Sequence, residues 1–221
     1  MLGGLPQHLQ LPEQPGGLVI GDDNIIRENA TIHRSLEKEG TTRVGDKCLL
    51  MVGTHVAHDC TVGGGVILTN NVLLAGHVEV AERAYLGGAS AVHQFCRIGR
   101  LAMIGGMARV KKDVPPFVLV DDATSLIVGL NKIGLRRAGF ASEEIQQLKD
   151  AYRLIYRRGL TWKEILAALA SEFPEGHAAE FHEFFCGGTR GFVPERRTPP
   201  SATLRLHRDE SAEPDYRSKA G

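Results

Sequence analysis

An aliphatic residue recurs at every sixth position along the middle of the chain: Val44, Leu50, Val56, Val62, Leu68, Leu74, Val80, Leu86, Val92, Ile98, Ile104 and Val110. A period of six fits neither a helix, with its repeat near 3.6, nor a flat strand, with a repeat of 2. It fits a short strand and a turn, repeated, with one side chain per face pointing into a narrow core. Three such faces make an 18-residue coil. Coils stacked about 4.8 Å apart let each backbone amide pair with its neighbour. Ile20, Ile26 and Ile32 keep the same spacing earlier in the chain. The polar stretch RSLEKEGTTR then interrupts, and Val44 resumes in phase. That stretch reads as a loop of about one extra hexad extruded from a continuous solenoid. The pattern predicts a mainly β protein: a parallel β-helix of hexapeptide repeats over residues 18–116, behind an N-terminal segment or cap at 1–17.

The six-residue clock stops at DVPPFVLV, where Pro115 and Pro116 are unsuited to a central strand. Beyond it the spacing is helical. Ser142 reads as an N-cap for a helix carrying Ile145, Leu148, Tyr152 and Ile155, closed by Arg157-Arg158-Gly159. Thr161 and Glu164 form a capping box for a second helix with Ile165, Leu166, Leu169 and Phe173. A third runs through Phe181, Phe184 and Phe185 to Gly187-Gly188. Residues 117–194 are therefore expected to form a small C-terminal helical domain. Residues 195–221, polar and aperiodic, are expected to be a disordered tail.

Composition narrows the class. Lysine plus arginine equals aspartate plus glutamate at 26 each in 221 residues, so no global field argues for nucleic acid or an anionic membrane. The start, MLGGLPQHLQ, has neither the basic residues nor the apolar block of a signal peptide, and no apolar run is long enough to span a bilayer. Cys48, Cys60, Cys96 and Cys186 lack CxxC spacing and read as free thiols. A cytoplasmic protein is the expectation. Its 26 glycines point to a backbone with many turns.

Positions 18 apart are vertical neighbours on such a prism. Gly76 then lies beside His58, with Gln94 one coil further; Asp59 stacks toward His77 and Phe95, and Ala57 toward Ala75 and His93. One strip thus holds His55, His58, His77 and His93 with Asp59 and Gln94. Single histidines in such folds often only pack at seams, but this cluster with an acid, an amide and a bare glycine points to a site. A glycine beside His58 leaves room for a ligand and exposes a backbone N–H suited to a developing oxyanion. Zinc is the functional rival, since imidazole ligates it well. Carbonic anhydrases of the hexapeptide type pair histidines five apart, and no pair in the strip has that spacing. No metal and no other cofactor is expected.

At these residues the sequence resembles the UDP-N-acetylglucosamine O-acyltransferases that begin lipid A synthesis. The matching stretches are ENATIHR, HVAHDCTVG, NNVLLAGHV, GGASAVHQFCRIG, DVPPFV, GLNKIGLRRAGF and AYRLIYRRG, spread over roughly residues 7 to 193. The resemblance implies a left-handed β-helix, a homotrimer with sites between subunits, and a C-terminal helical domain. It implies transfer of a 3-hydroxyacyl group from acyl carrier protein to the 3-hydroxyl of UDP-N-acetylglucosamine. His58 would be the general base, Asp59 its partner, and Gly76 the oxyanion donor. His55, His77, His93, Gln94 and Gln7 would shape the substrate pocket, and Asn131 and Arg137 would hold phosphates. Lys132, Arg136, Arg153, Arg157 and Arg158 would offer a basic face to the acidic carrier protein, or else form a solvated helix surface.

This chain is shorter at its N-terminus than the family's usual pattern, which has several more coils before the point matching residue 7. It has His8 and Gln10 where the family has an acid and a lysine, Ala138 where a second arginine is common, and Ile133 where some members have an acid. Two alternatives stand beside the enzyme: a shortened paralogue with another acceptor, and a non-catalytic trimer that binds carrier protein or nucleotide sugar. Gly87-Gly88 and Gly105-Gly106 are also 18 apart and leave either a bare strip for an alkyl chain or tight turns. By the resemblance, Gly106 is the acyl-chain ruler and admits a donor of around fourteen carbons.

Overall fold

A computed structural model of the chain describes residues 1–196. The hexads wind into a triangular prism of three parallel sheets. Face 1 stacks Leu2–Gly4, Thr31–His33, His55–Val56, Leu73–Leu74, Ala91–Val92 and Arg109–Val110. Face 2 stacks Gly17–Ile20, Thr41–Val44, Thr61–Val62, Glu79–Val80 and Arg97–Ile98. Face 3 stacks Ile25–Ile26, Leu49–Leu50, Ile67–Leu68, Tyr85–Leu86, Met103–Ile104 and Val118–Val120, with Ile127–Leu130 added antiparallel at its end. Register is in step, as in Leu73 opposite His55 and Leu74 opposite Val56.

Each hexad position has its own physical task. The clock residues from Val44 to Val110 are buried to 2% exposure or less. Each such side chain contributes roughly 1.5–3 kcal/mol when fully buried. A second, smaller residue two places earlier is buried too: Cys48, Cys60, Val66, Val72, Val78, Ala84, Cys96, Ala102 and Ala108. Three of the four free cysteines are therefore core filling. Burial pushes the Cys60 thiol up to about 12, so it is an inert hydrophobe at neutral pH. The residue after the aliphatic abuts the next coil. A Cβ at Gly63 would stand 2.8 Å from Glu82 N, and one at Gly87 2.5 Å from Gly106 N. That crowding is why VG, LG and IG recur.

The third residue after each aliphatic turns the chain in the left-handed region, as at Asp59 (φ 60°), Asn71 (60°), His77 (59°), Phe95 (63°) and Met107 (59°). Such a conformation costs a non-glycine residue about 1–2 kcal/mol. A hydrogen bond from the turn to the coil before it offsets this, as in His77 N–H to His58 C=O at 3.0 Å and Phe95 N–H to Gly76 C=O at 3.2 Å; at Asp59 the acceptor is the Thr42 hydroxyl.

The corner between faces 1 and 2 departs from this economy at its first two passages. Residues 5–16 and residues 34–40 leave the prism there before rejoining face 2. The second is the extruded loop expected from RSLEKEGTTR. The N-terminal stretch does more than cap: Leu2–Gly4 pairs with Thr31–His33 as the first strand of face 1.

The prism also runs past Pro115-Pro116. Val118–Val120 pairs with Met103–Ile104, so face 3 gains a strand beyond residue 116. The steps from Ile98 to Val114 and from Ile104 to Val120 are 16 residues where the uninterrupted coils use 18, because only Lys111, Lys112 and Asp113 turn the corner between Val110 and Val114. From Val114 to Val120 the six-residue step returns, with Phe117 (φ 65°) at the usual turn position. A short helix α1, Lys132–Arg137, follows, then α2 (Ser142–Arg157), α3 (Trp162–Glu172) and α4 (Ala179–Cys186). The cap of α2 is Ala141, one residue before the expected Ser142; the Glu144 carboxylate accepts from Ala141 N–H at 2.7 Å. Thr161 and Glu164 form their capping box, and Gly159 (φ 69°) follows α2.

A buried ion pair joins the two parts. Arg97 Nε donates to Asp113 Oδ2 at 2.9 Å, and Arg97 Nη2 donates to Phe184 C=O at 2.8 Å. Glu195 and Arg196, the head of the expected tail, are anchored. Glu195 accepts from Tyr152 at 2.6 Å, and Arg196 N–H bonds Ile127 C=O at 2.8 Å. The rest of that segment, 197–221, lies outside the described residues.

Candidate active site

The corner between faces 1 and 2 gathers most of the chemistry. His58 occupies it between His55–Val56 and Thr61–Val62, and Asp59 makes the left-handed turn. His58 Nδ1–H donates to Asp59 Oδ2 at 2.8 Å, and both side chains are about nine-tenths buried. The bond places the proton of a neutral His58 on Nδ1 and leaves Nε2 with its lone pair. Gly76 sits directly against that ring: a Cβ there would stand 2.8 Å from His58 Nε2. Among the described residues, no backbone partner takes the Gly76 N–H.

The Asp59 carboxylate is surrounded by donors. Ser35 Oγ–H donates to Oδ1, Leu36 N–H donates to Oδ2 at 3.1 Å, and His77 Nε2 lies 3.8 Å from Oδ2. Asp59 N–H in turn donates to Thr42 Oγ1 at 2.8 Å. Burial alone would raise the carboxyl pKa. The Ser35 hydroxyl, the His58 ring and the Leu36 amide outweigh it and hold Asp59 below the usual carboxylate range. Asp59 is an anion, and it is the fixed pole of the cluster.

Three further rings extend the strip. His77 stacks on Phe95 with centroids 4.6 Å apart and meets His58 edge-on at 5.2 Å. His8, from segment 5–16, meets His58 edge-on from the other side at 5.6 Å. The N-terminal segment thus reaches the base, and exposed Gln7 rides on it. His55 lies on face 1, sharing a 2.8 Å hydrogen bond with Thr31 Oγ1. Burial, with the nearby His33, holds its imidazole below the ordinary value. His33 Nδ1–H donates to Leu5 C=O at 2.5 Å.

His93 and Gln94 lie one coil beyond Gly76 and are exposed. His93 Nδ1 lies 3.1 Å from Arg190 Nη2 and 3.2 Å from Gln94 C=O, so it accepts from the guanidinium in one tautomer and donates to the carbonyl in the other. One nitrogen each of His58 and His77 and one Asp59 oxygen lie within 4.8 Å of one another, so the trio has the donor types of a metal site. The hydrogen bond from His58 Nδ1 to Asp59 Oδ2 already joins two members of the trio.

Within one chain, Asn131, Arg137 and Gly106 are not part of this cluster. Asn131 is buried and its amide is occupied: Oδ1 accepts from Gly134 N–H at 2.9 Å, capping α1, and Nδ2 donates to Leu101 C=O at 3.0 Å. It positions α1, whose last turn carries exposed Arg137. Gly106 is on the corner between faces 3 and 1, where a Cβ would stand 3.2 Å from Gly88 C=O.

The glycine pairs divide their tasks, since a Cβ at Gly87 or Gly105 would strike backbone, one at Gly88 would make an ordinary contact at 3.4 Å with Asn70 C=O, and one at Gly106 a tight contact at 3.2 Å with Gly88 C=O. Of the basic residues, Arg153, Arg157 and Arg158 pair with Asp150, Glu195 and Glu172. Lys132, Lys149, Arg153 and Arg157 line one shallow groove of about 300 Å³ with Tyr152.

Sequence reasoning missed Ser35, Leu36, Thr42 and Arg190. Ser35 and Asp59 are 24 apart, one coil plus the extruded hexad, so stacking across the loop by 24 finds it. Arg190 is 97 residues from His93 and no periodicity reaches it.

A hexapeptide β-helix with a histidine–carboxylate pair at one corner and a helical appendage defines a hexapeptide-repeat acyltransferase. Residues 113–193 match a family model described as UDP N-acetylglucosamine O-acyltransferase, domain 2. An acyl-[acyl-carrier-protein]–UDP-N-acetylglucosamine O-acyltransferase of Synechocystis is 41% identical over 202 residues, 89% of this chain and 73% of that protein. One of Verminephrobacter eiseniae is 44% identical over 199 residues, 87% of this chain and 76% of that protein. The crystal structure of a UDP-N-acetylglucosamine acyltransferase of Francisella novicida superposes with TM-score 0.83 at 39% identity, covering 88% of this chain and 72% of that one. The chain belongs to the acyl-[acyl-carrier-protein]–UDP-N-acetylglucosamine O-acyltransferase family. Its fold is a left-handed β-helix with a small C-terminal helical part.

Proposed function

We propose that the protein transfers a 3-hydroxyacyl group from acyl carrier protein to the 3-hydroxyl of UDP-N-acetylglucosamine, the first step of lipid A synthesis. The observation that carries the reading is the His58–Asp59 pair with Gly76 against the free His58 nitrogen. His58 Nε2 takes the proton of the sugar hydroxyl as its oxygen attacks the thioester carbonyl. The Gly76 N–H receives the charge that develops on the carbonyl oxygen. Collapse of the tetrahedral intermediate breaks the carbon–sulfur bond, and His58 returns its proton to the leaving thiolate of the carrier. Asp59 stays ionised throughout and stabilises the imidazolium.

His55, His77, His93, Gln94 and Gln7 line the approach to this pair, and Arg137 is offered to a phosphate. The groove lined by Lys132, Lys149, Arg153 and Arg157 suits an acidic carrier. Leu73 (47% exposed), Phe95 (48%) and Met107 (80%) stand bare along one side of the prism. Exposed apolar side chains there support a homotrimer with each site completed by a second copy. A cytoplasmic location is part of the same proposal.

Pure protein incubated with UDP-N-acetylglucosamine and 3-hydroxyacyl carrier protein should yield the acylated nucleotide sugar by mass spectrometry. His58→Ala should lose about two to four decades of rate. Normal turnover by that variant would remove His58 as the base.

A further inference from the structure

The extruded loop 34–40 is the least regular part of the prism, yet it holds its shape by dense bonding. Ser35 N–H bonds Gly17 C=O at 3.0 Å, Gly16 N–H bonds Ser35 C=O at 3.0 Å, and Gly40 N–H closes on Glu37 C=O at 2.9 Å. Ser35 is fully buried among these contacts. Its hydroxyl oxygen accepts from Glu37 N–H at 3.0 Å, so its position is fixed. Its one proton has two acceptors in reach, the Asp59 carboxylate and Glu37 C=O at 3.1 Å. The charged oxygen wins, because bonds to an ionised acceptor are about twice as strong. The next residue adds Leu36 N–H to the other carboxylate oxygen. Gly40 is a close-approach position: a Cβ there would overlap Ser35 Oγ.

A carboxylate that faces an imidazole with nothing behind it is free to rotate and to change the oxygen it presents. Here both oxygens are claimed, Oδ1 by Ser35 and Oδ2 by Leu36 N–H and His58. The other titratable groups facing the pair are His77 from the next coil and His8 from segment 5–16. Neither contacts Oδ1.

From this geometry we infer that Ser35 is a positioning residue for the reaction, acting through Asp59 to hold the His58 ring with Nε2 beside Gly76. The inference rests on the base assignment proposed above. It makes the loop a functional part of the site, and it predicts a loss in turnover without a loss in substrate affinity, since Ser35 is buried behind the carboxylate.

The test is a double-mutant cycle with kcat and KM measured separately and folding checked by thermal melting. Ser35→Ala should lower kcat about tenfold, the effect of one hydrogen bond to a charged group, with KM within about twofold. In an Asp59→Ala background the same substitution should change nothing further. Gly40→Ala, which keeps the hydroxyl but displaces it, should reproduce the kcat loss. Wild-type turnover by Ser35→Ala overturns the inference, as does an equal loss in the Asp59→Ala background, which would mark a merely structural role. Full turnover by His58→Ala sinks the base assignment itself, and the inference falls with it; a dead His58→Ala beside a fully active Ser35→Ala sinks the inference alone.

Discussion

Gly76 and His58 are packed so closely that no side chain fits between them: a Cβ on Gly76 would stand 2.6 Å from His58 Cε1 and 2.8 Å from Nε2. The backbone of Gly76 is not in the left-handed region, so alanine strains only the ring. Gly76→Ala should therefore fold normally and push His58 off its bond to Asp59. A displacement of about 1 Å at a reacting group can lower the rate about a hundredfold. Turnover assays beside circular dichroism would check this; an active Gly76→Ala variant would show that the ring tolerates rotation.

Acid should weaken the fold through this same corner. The folded-state pKa of Asp59 is depressed, so its stabilising contribution is fully present above the unfolded value of about 3.9 and is lost as pH falls through the folded value. His55, also depressed, adds an earlier loss that starts as pH falls below about 6.5, where the unfolded chain binds the proton first. Asp59→Asn should lower the denaturation midpoint most at pH 7, with a smaller effect near pH 3, where part of the contribution has been lost. Equal effects at both pH values would contradict the assignment of an ionised Asp59.

The surface at Gly106 is the expected limit on acyl length. Gly106→Met places a long side chain on the corner between faces 3 and 1, where the Gly88 carbonyl oxygen, 3.2 Å from the new Cβ, must give by a few tenths of an ångström. Each methylene that can no longer be buried forfeits about 0.8 kcal/mol. Competition between 3-hydroxyacyl donors should shift toward shorter chains in this variant. An unchanged chain-length profile would place the ruler elsewhere.

Asp113 holds the helical part on the prism. It is 1% exposed and accepts from both Arg97 N–H and Arg97 Nε at 2.9 Å. Asp113→Ala would leave the Arg97 backbone amide and Nε without their acceptor and the guanidinium without its counter-charge, and should destabilise by about 3 kcal/mol. Arg97 is also held by Phe184, its carbonyl at 2.8 Å and its ring 4.3 Å from the guanidinium carbon, so the loss should loosen α4 first. Hydrogen exchange of α4 amides would report it.

The hexad clock made the prism legible because one aliphatic per turn is both the sequence pattern and the core. Stacking by 18 then places Gly76 against His58 and Asp59 under His77 from the sequence alone. Where the repeat is broken, that logic stops. Ser35 was hidden because the loop shifts the coil by six, and Val118–Val120 because the corner at residues 111–113 shortens one coil to 16 residues. Asn131 carried no mark of its capping role, since α1 is only six residues and has no apolar period to announce it. Arg190 meets His93 through the packing of the segment after α4 against the prism, a relation no local spacing encodes.

Both long excursions of the prism, 5–16 and 34–40, leave from the corner that holds His58. A ladder of parallel strands punishes any change of length within a face, because every rung above and below must shift with it. A corner is exempt. This edge works as a socket, then: its two inserts can be lengthened, shortened or exchanged while the scaffold keeps its registry. Acceptor preference could diverge among relatives by grafting these two inserts, with every strand and the His58–Asp59 pair left in place.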